Sequence, residues 1–254
     1  MYPILFRLDG LTVYAYGFFL AVGFVLGLGL AILKAQKEGI PFDRIIDLFF
    51  LTVLSAVLGS RALFVLINFD LYRENPLDVF KLWEGGLVFY GGLVLAVAVA
   101  ALYLRLRKLP VWKLADFFAP PIALGLFFGR LGCFFAGCCY GKETALPWGV
   151  IFTDGNSLAP LNVFLHPTQL YDAANGLGIF LFLKWWEKRK TFDGQIFWLF
   201  LLLYSAARFL VEIFRGDPRG FVLDSLVSTS QAVGVPLAAT SLFMLFYLKY
   251  RNRR

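Results

Sequence analysis

The feature that most constrains this chain is a series of long, continuously apolar segments. Each is about twenty residues long, the length that an α-helix needs to cross a hydrocarbon layer about 30 Å thick. Of the 254 residues, 59% are apolar and only 16% are charged, which is unlike an ordinary soluble domain. A transmembrane β-barrel is excluded because its strands alternate in polarity, whereas these segments do not. The sequence therefore predicts an all-α, polytopic membrane protein.

Hydropathy predicts seven spans, the first of them retained rather than cleaved as a signal peptide. They lie near residues 11–33, 45–68, 87–104, 114–139, 170–186, 192–214 and 225–248. Fifteen of the 24 Lys and Arg fall in one set of connecting segments, six fall in the other set, and three lie inside spans. Because positively charged loops stay in the cytoplasm, the N-terminus is predicted outside and the C-terminus inside.

The connecting segments give no sign of a second domain. No linker and no internal repeat divides residues 1–254, so one helical domain is predicted, with two longer outward-facing segments at about 69–86 and 140–169. The net charge of +7 is accounted for by the cytoplasmic loops, so no nucleic-acid partner is predicted. Nothing in the sequence requires a nucleotide or a metal, and no cofactor is predicted.

Three arginines stand inside predicted spans, where a charge costs at least about 2.5 kcal/mol. Arg61, Arg130 and Arg208 all fall in the outer half of the membrane. Glu212 and Arg215 follow Arg208 at i+4 and i+7, which predicts that the three share one helix face. One interpretation is that these arginines only snorkel or lock helices together. The other is that their guanidinium forks hold a phosphate, which at this depth means a phospholipid headgroup.

Other unusual residues are predicted at the same outer level. Tyr16 lies early in the first span, Tyr90 opens the third, and the sole histidine, His166, precedes the fifth in the run HPTQLYD. Each has an ordinary interpretation, since interfacial tyrosines form aromatic belts and a loop histidine often only stabilises its loop. The three cysteines fall within seven residues, which excludes the disulfide framework of a small secreted fold.

The chain resembles the prolipoprotein diacylglyceryl transferase family of bacterial inner membranes over nearly its whole length. Seven segments resemble family motifs in the right order, and seven in order are far more specific than any one alone. They are YG at Tyr16, LGSRA around Arg61, WEGGLVFYGG from Trp83 to Gly92, GRLG from Gly129, HPTQLYD from His166, RFLVEIFR from Arg208 and STSQ ending at Gln231.

The resemblance implies an enzyme that moves a diacylglyceryl group from phosphatidylglycerol to the lipobox cysteine of a prolipoprotein signal peptide. A thioether forms and glycerol 1-phosphate leaves, at a site that faces the outer leaflet among membrane lipids. The resemblance assigns Arg130 and Arg208 to the phosphate, Glu212 to orienting Arg208 or the substrate, and Tyr16 to the reacting end. It places His166, Gln169 and Tyr171 at the outer mouth of the cavity, and we add Arg61 and Arg215 to the substrate-binding set.

Two departures from the family pattern bear on the chemistry. Tyr90 stands where many members carry a histidine, which has been proposed as the base that deprotonates the thiol. A tyrosine, whose reference pKa is about 10, is a poor base for that step. After GRLG the family has Asn, Asn and Glu, whereas this chain has Cys133, Ala136 and Cys138. It is therefore a divergent member with a cysteine-rich signature, and the group that deprotonates the acceptor is unassigned.

Four interpretations of Cys133, Cys138 and Cys139 stay open at this point. The thiols could be packing groups, a redox pair formed if the helix breaks at Gly137, a covalent carrier of the lipid group, or, with His166, a metal site of unfamiliar spacing. Two other functions also stay open. One is a paralogous transferase with a different acceptor, and the other is a lipid-binding or transport protein that does not react.

Overall fold

The computed structural model describes residues 2–8, 11–73, 75–81, 85–217, 221–222 and 227–252. Five residues to which the sequence drew attention lie outside them: Trp83, Glu84, Arg219, Arg253 and Arg254. Seven α-helices dominate the described chain: α1 Ala15–Lys37, α2 Phe42–Ile67, α3 Phe89–Leu106, α4 Val111–Ala136, α5 Thr168–Trp186, α6 Gln195–Glu212 and α7 Thr229–Arg251. The prediction of a predominantly helical protein is confirmed.

Six of these helices, all but α5, are long and apolar enough to cross a membrane among the residues described. The α5 helix carries Gln169, Asp172, Asn175 and Lys184 within its 19 residues, and these polar groups lower its mean hydropathy. The six helices are consistent with a polytopic membrane protein. The count of seven spans and the orientation stay predictions.

Short strands pair beside the helices, and the sequence analysis did not predict them. Within the described chain there are three antiparallel two-stranded sheets: β1 Ile4–Leu8 with β2 Leu11–Tyr14, β3 Val150–Ile151 with β4 Phe164–Leu165, and β5 Phe221–Val222 with β6 Val227–Ser228. The first span was predicted to begin at residue 11. It begins instead at Ala15, because Leu11–Tyr14 pairs with the N-terminal strand in the register Ile4 to Tyr14.

Two compact units make up the chain, residues 32–114 and residues 1–31 with 115–254. In the first unit, α2 and α3 pack through glycine. A Cβ at Gly59 would lie 2.5 Å from the carbonyl oxygen of Gly91, so the two backbones approach more closely than any side chain would allow. The Tyr103 hydroxyl donates to Asp47 at 3.0 Å near the other end of the helix pair.

We expect Gly91→Ala to destabilise the α2–α3 pair by about 2 kcal/mol, because overpacking a close contact forces the backbones apart. The added Cβ would lie 2.3 Å from the carbonyl oxygen of Gly59. Thermal unfolding in detergent measures the effect, with Gly29→Ala as the control, since a Cβ there meets no described atom within 4 Å. Equal unfolding midpoints for the two variants would contradict the close approach.

In the second unit, α4, α5 and α6 share an apolar core that includes Ala119, Ile179, Leu183 and Phe200. A buried carboxylate fixes the start of α6. Asp116 of α4 accepts hydrogen bonds from the backbone N–H groups of Gly194 and Phe197, at 2.7 and 2.9 Å. It thereby supplies acceptors for N–H groups that a helix N-terminus leaves unpaired, and this clamp sets how α6 presents Arg208 to α4 and α5.

Candidate active site

Three arginines converge on one buried carboxylate in the second unit. The Oδ2 atom of Asp172, on α5, lies 3.2 Å from Nη1 of Arg130, 3.5 Å from Nη1 of Arg208 and 3.7 Å from Nη1 of Arg215. The Asp172 side chain is only 7% exposed. Arg130 comes from α4 and Arg208 from α6, so the cluster joins three helices. The predicted association of Arg130 with Arg208 is present in the structure.

Further carboxylates surround these arginines. Arg208 donates to Glu212 one helical turn along α6 and to the hydroxyl of Ser230 at 3.3 Å. Arg215 donates to both oxygens of Asp217 at 3.0 Å. Asp217 is outside the spans, where burial raises its pKa although Arg215 opposes the rise. Each arginine is therefore held in a fixed orientation by a carboxylate.

Two guanidinium nitrogens in this cluster lack a hydrogen-bond acceptor. Among the described residues, Nη1 of Arg208 and Nη1 of Arg215 are buried and make no hydrogen bond. Both nitrogens face Oδ2 of Asp172 at ion-pair distances of 3.5 and 3.7 Å, and among the described residues that oxygen makes no hydrogen bond either. Native structures rarely leave buried polar atoms without hydrogen bonds unexplained. A small cleft, with room for about one water molecule, opens at this place and is lined by Arg130, Asp172, Tyr204 and Arg208 among others. The arrangement suits an anionic group with several oxygen acceptors.

Arg215 was predicted on the helix face of Arg208 and Glu212, and this prediction is wrong. The α6 helix ends at Glu212, and the next residues turn so that Arg215 forms a β-bridge with Gly141. The turn has a physical reason, because it packs the backbone of Gly216 against that of Gly141. A Cβ on Gly216 would lie 2.6 Å from the carbonyl oxygen of Gly141. Arg215 nevertheless reaches Asp172 from the loop.

The run from His166 to Asp172 positions the segment that follows α4. Thr168 donates to the carbonyl oxygen of Cys139 and Gln169 donates to that of Cys138, both at 2.8 Å. Both side chains are fully buried, so Gln169, which we predicted at the outer mouth, makes an internal contact instead. The Tyr171 hydroxyl lies 3.2 Å from His166 Nδ1 and accepts from Trp148 at 2.8 Å. The contacts of Thr168 and Gln169 hold in place the segment that carries Cys138 and Cys139, called here the cysteine loop.

The three cysteines come together at the end of α4. The helix stops at Ala136, and Gly137 and Cys139 take positive φ angles of 79° and 62°. The sulfur atoms of Cys133, Cys138 and Cys139 all lie within 4.8 Å of one another. All three thiols are free and partly exposed. The pKa of Cys139 is lowered by hydrogen bonds with Cys133 and Cys138 and then by the charges of Arg215 and Arg130.

Tyr16 lies beside this cluster. It occupies the first turn of α1, and its backbone is so close to α4 that a Cβ at Gly132 would lie 3.1 Å from the Tyr16 Cα. Gly132 directly precedes Cys133 in the chain. The structure therefore brings Tyr16 close to the residue that precedes Cys133, and its role at the reacting end stays a prediction.

Arg61 and Tyr90 belong to the first unit. The Arg61 side chain is buried and donates to four backbone carbonyls: those of Asp78, Val79, Gly85 and Gly86, at 2.7, 2.8, 2.8 and 3.3 Å. These contacts anchor the segment that follows α2. Tyr90 lies in the first turn of α3 with 39% of its surface exposed. Their roles in binding and in proton transfer stay predictions.

We expect Arg61→Ala to lower stability by about 3 kcal/mol or more, because four carbonyls lose charge-assisted donors. The exposed Arg73, paired at 3.4 Å with an exposed Asp70, supplies the control Arg73→Ala. Thermal unfolding and the KM for lipid are measured together. A raised KM in a protein of unchanged thermal stability would show instead that Arg61 binds substrate.

Asp172 is the residue of this site that the sequence analysis missed. It closes the HPTQLYD run and lies inside the predicted fifth span, so it is an ionisable residue at membrane depth. That signal was available, since such residues are expected to be paired or functional. The arginines inside the spans called for a carboxylate partner at the same depth, and Asp172 is that partner.

The fold and the site together define a class of protein. It is an α-helical membrane protein with a buried arginine cluster beside a cleft. The chain belongs to the prolipoprotein diacylglyceryl transferase family, whose model matches residues 3–247. It is similar to the phosphatidylglycerol–prolipoprotein diacylglyceryl transferase of Clostridium tetani, with 35% identity over all of both chains. A second enzyme of that name, from Clostridium perfringens, is 33% identical over 99% of this chain and 97% of its own.

A relative from another bacterium agrees with these two. The enzyme of the same name from Acinetobacter baumannii is 36% identical over 96% of this chain and 92% of its own. The family resemblance drawn from the motifs is confirmed, and so is the prediction of an enzyme of the transferase class.

Proposed function

We propose that this chain transfers the diacylglyceryl group of phosphatidylglycerol to the lipobox cysteine thiol of a prolipoprotein signal peptide. The product is a thioether, and glycerol 1-phosphate leaves. Family membership and the names of the relatives support the donor and the acceptor class. The structural observation that carries the proposal is the buried cluster of Arg130, Arg208 and Arg215 around Asp172. Among the described residues, Nη1 of Arg208 and Nη1 of Arg215 make no hydrogen bond and face Asp172 only at 3.5 and 3.7 Å.

The phosphate of the lipid is the group that these nitrogens would bind. A phosphodiester offers charged oxygens to which a guanidinium donates in the plane of its fork. The reaction breaks the bond between the glyceryl carbon and a phosphate oxygen, so negative charge grows on the leaving phosphate. Donors fixed in place by Asp172, Glu212 and Asp217 would meet that charge without reorganising. Arg130, Arg208 and Arg215 would thus stabilise the transition state more than the bound lipid.

The remaining residues take supporting roles in the proposal. Glu212 orients Arg208, to which it is hydrogen bonded, and Tyr16 lines the reacting end beside the thiols. His166 and Tyr171, which contact each other, line the approach to the site, and Gln169 holds the cysteine loop from inside. We keep Tyr90 as a candidate for contact with the acceptor.

The apolar helices and the family indicate a protein of the bacterial inner membrane. We further propose one helical domain of seven spans, with the N-terminus outside and the C-terminus in the cytoplasm. The site then faces the outer leaflet, since the basic connecting segments fix the orientation. In this orientation the lipid and the signal peptide reach the arginine cluster from within the membrane.

Mass spectrometry of an acceptor peptide tests the function. The purified protein is incubated in detergent with phosphatidylglycerol and a lipobox peptide, and the expected product carries one diacylglyceryl group on its cysteine. A peptide with serine in place of that cysteine, and phosphatidylethanolamine in place of the donor, serve as controls. An unmodified peptide in the presence of folded, lipid-bound protein would refute the proposal.

A further inference from the structure

The cysteine cluster offers three sulfur ligands, one fewer than a tetrahedral zinc ion takes. The three sulfur atoms lie within 4.8 Å of one another, and zinc with Zn–S bonds of about 2.3 Å places its sulfur ligands about 3.8 Å apart in a tetrahedron. Movements of an ångström or less would therefore complete the site. Cys133, Cys138 and Cys139 are the only cysteines in the chain. Three protein ligands with a fourth position open is the pattern of catalytic zinc, whereas structural zinc has four.

The surroundings hold the cluster in this arrangement. A side chain at Gly137 would collide with Ser157, since its Cβ would lie 2.0 Å from the hydroxyl oxygen, and the positive φ there turns the chain back toward α4. Thr168 and Gln169, both fully buried, fix the carbonyl groups of Cys139 and Cys138. The thiols themselves are partly exposed, so an ion and a fourth ligand can reach them.

The local charge suits an anionic metal–thiolate group. Zinc with three thiolates carries one negative charge, and a fourth thiolate brings the total to two. Arg130 lies one helical turn before Cys133 on α4, and Arg215 forms a β-bridge with Gly141, two residues after Cys139. Two arginines can therefore offset the charge of the loaded site. The same two arginines would repel a metal cation whose ligands were all neutral.

We propose that Cys133, Cys138 and Cys139 bind a zinc ion whose fourth position takes the thiol of the acceptor cysteine. This inference rests on the proposed transferase function and supplies the step that it lacks, because Tyr90 is a poor base for a thiol. A thiol that coordinates zinc is deprotonated outright, and the proton passes to solvent. The bound thiolate would then stand one helical turn from Arg130, where the lipid phosphate binds.

The step balances without a further reactant. A sulfur lone pair of the zinc-bound thiolate forms the bond to the glyceryl carbon of the lipid. The bond from that carbon to the phosphate oxygen breaks, and its electron pair leaves with glycerol phosphate. The thioether product is neutral and a weaker ligand, so it dissociates from zinc. A covalent carrier role for one of the three cysteines is disfavoured, because the same stability of a thioether would trap the lipid on the enzyme.

Cobalt binding tests the site directly. The protein, purified without oxygen and stripped by a chelator, is titrated with Co²⁺, whose visible absorption reports tetrahedral thiolate coordination. We expect one ion per chain, and a spectral change on adding a lipobox peptide but not its serine analogue. Cys133→Ser, Cys138→Ser and Cys139→Ser should each weaken binding at least about 100-fold, more than the loss of an outer contact. Asp70→Asn, which changes an exposed surface carboxylate, should leave cobalt binding unchanged.

Metal binding, the state of the thiols and lipid transfer are measured separately, so the zinc site and the transferase function can fail independently. Cobalt that binds the wild type no better than the triple serine variant would overturn the zinc site, and so would a disulfide that uses two of the three thiols in protein purified without oxygen. Lipid transfer at an undiminished rate by metal-free protein would also overturn it while leaving the transferase intact. Cobalt binding with a peptide-dependent spectrum, but without any transfer, would support the site and count against the transferase.

Discussion

Replacing Arg208 with lysine is expected to reduce the rate of diacylglyceryl transfer about 100-fold or more, with little loss of stability. Lysine keeps the charge but has no fork, so it cannot hold Glu212 and also present a second donor toward the cleft. Removing one fixed donor from a site of growing negative charge typically costs a factor of about 100 to 1,000. Arg130→Lys should behave similarly, since Arg130 lines the same cleft.

Initial rates at saturating peptide, with the lipid concentration varied, measure this effect. Arg73→Lys is the matched control, because Arg73 is 70% exposed, pairs with the exposed Asp70 and lies over the ring of Phe69. We expect the loss in Arg208→Lys to fall on kcat as well as on kcat/KM, since the donor acts most strongly on the leaving phosphate. A rate within about threefold of wild type would remove Arg208 from the phosphate site.

Asp172→Asn is expected to destabilise the protein by about 3 kcal/mol or more, and to impair transfer as a consequence. The substitution removes the negative charge from the centre of three guanidinium groups that lie within 4 Å of it. Breaking a buried ion pair from one side typically costs about 3–5 kcal/mol, because the partner charges stay buried and uncompensated. The arginines would then repel one another.

Thermal unfolding in detergent measures this effect, with the surface change Asp154→Asn as control. Asp154 is partly exposed, and its carboxylate oxygen Oδ1 accepts only from the nearby Asn156 among the hydrogen bonds described. Adding Arg215→Gln to Asp172→Asn should restore part of the lost stability, since it removes one of the uncompensated charges. If Asp172→Asn unfolded at the wild-type temperature, Asp172 would not be the centre of the cluster.

Much of the fold was predictable because the membrane imposes it. In a hydrocarbon layer a chain must satisfy its own backbone hydrogen bonds, so long apolar runs become helices whatever their detailed sequence. Where the runs end was less predictable. The fourth span was extended to residue 139, but Gly137 turns the chain after Ala136. Leu11 looked like the start of a span and pairs as a strand instead, because hydropathy does not distinguish an apolar strand from a helical turn.

The site was predictable where a charge stood alone in an apolar run. Arg130, Arg208 and Glu212 were found in this way, and the structure places them together. The family resemblance implied that Gln169 shapes the cavity mouth, but whether a side chain points inward depends on packing that a single sequence does not reveal. The sequence offered the convergence of the cysteines only on the condition of a helix break at Gly137, and it depends on the positive φ angles of Gly137 and Cys139.

The most direct test of the proposed transfer is the release of glycerol phosphate by the purified protein in detergent. The protein is given phosphatidylglycerol with a lipobox peptide, or with the same peptide carrying serine for cysteine. We predict release of one glycerol phosphate for each peptide thiol consumed, and none with the serine peptide. Release at the same rate with both peptides would reveal a lipase-like hydrolysis, and no release by protein that still binds the lipid would contradict a transferase.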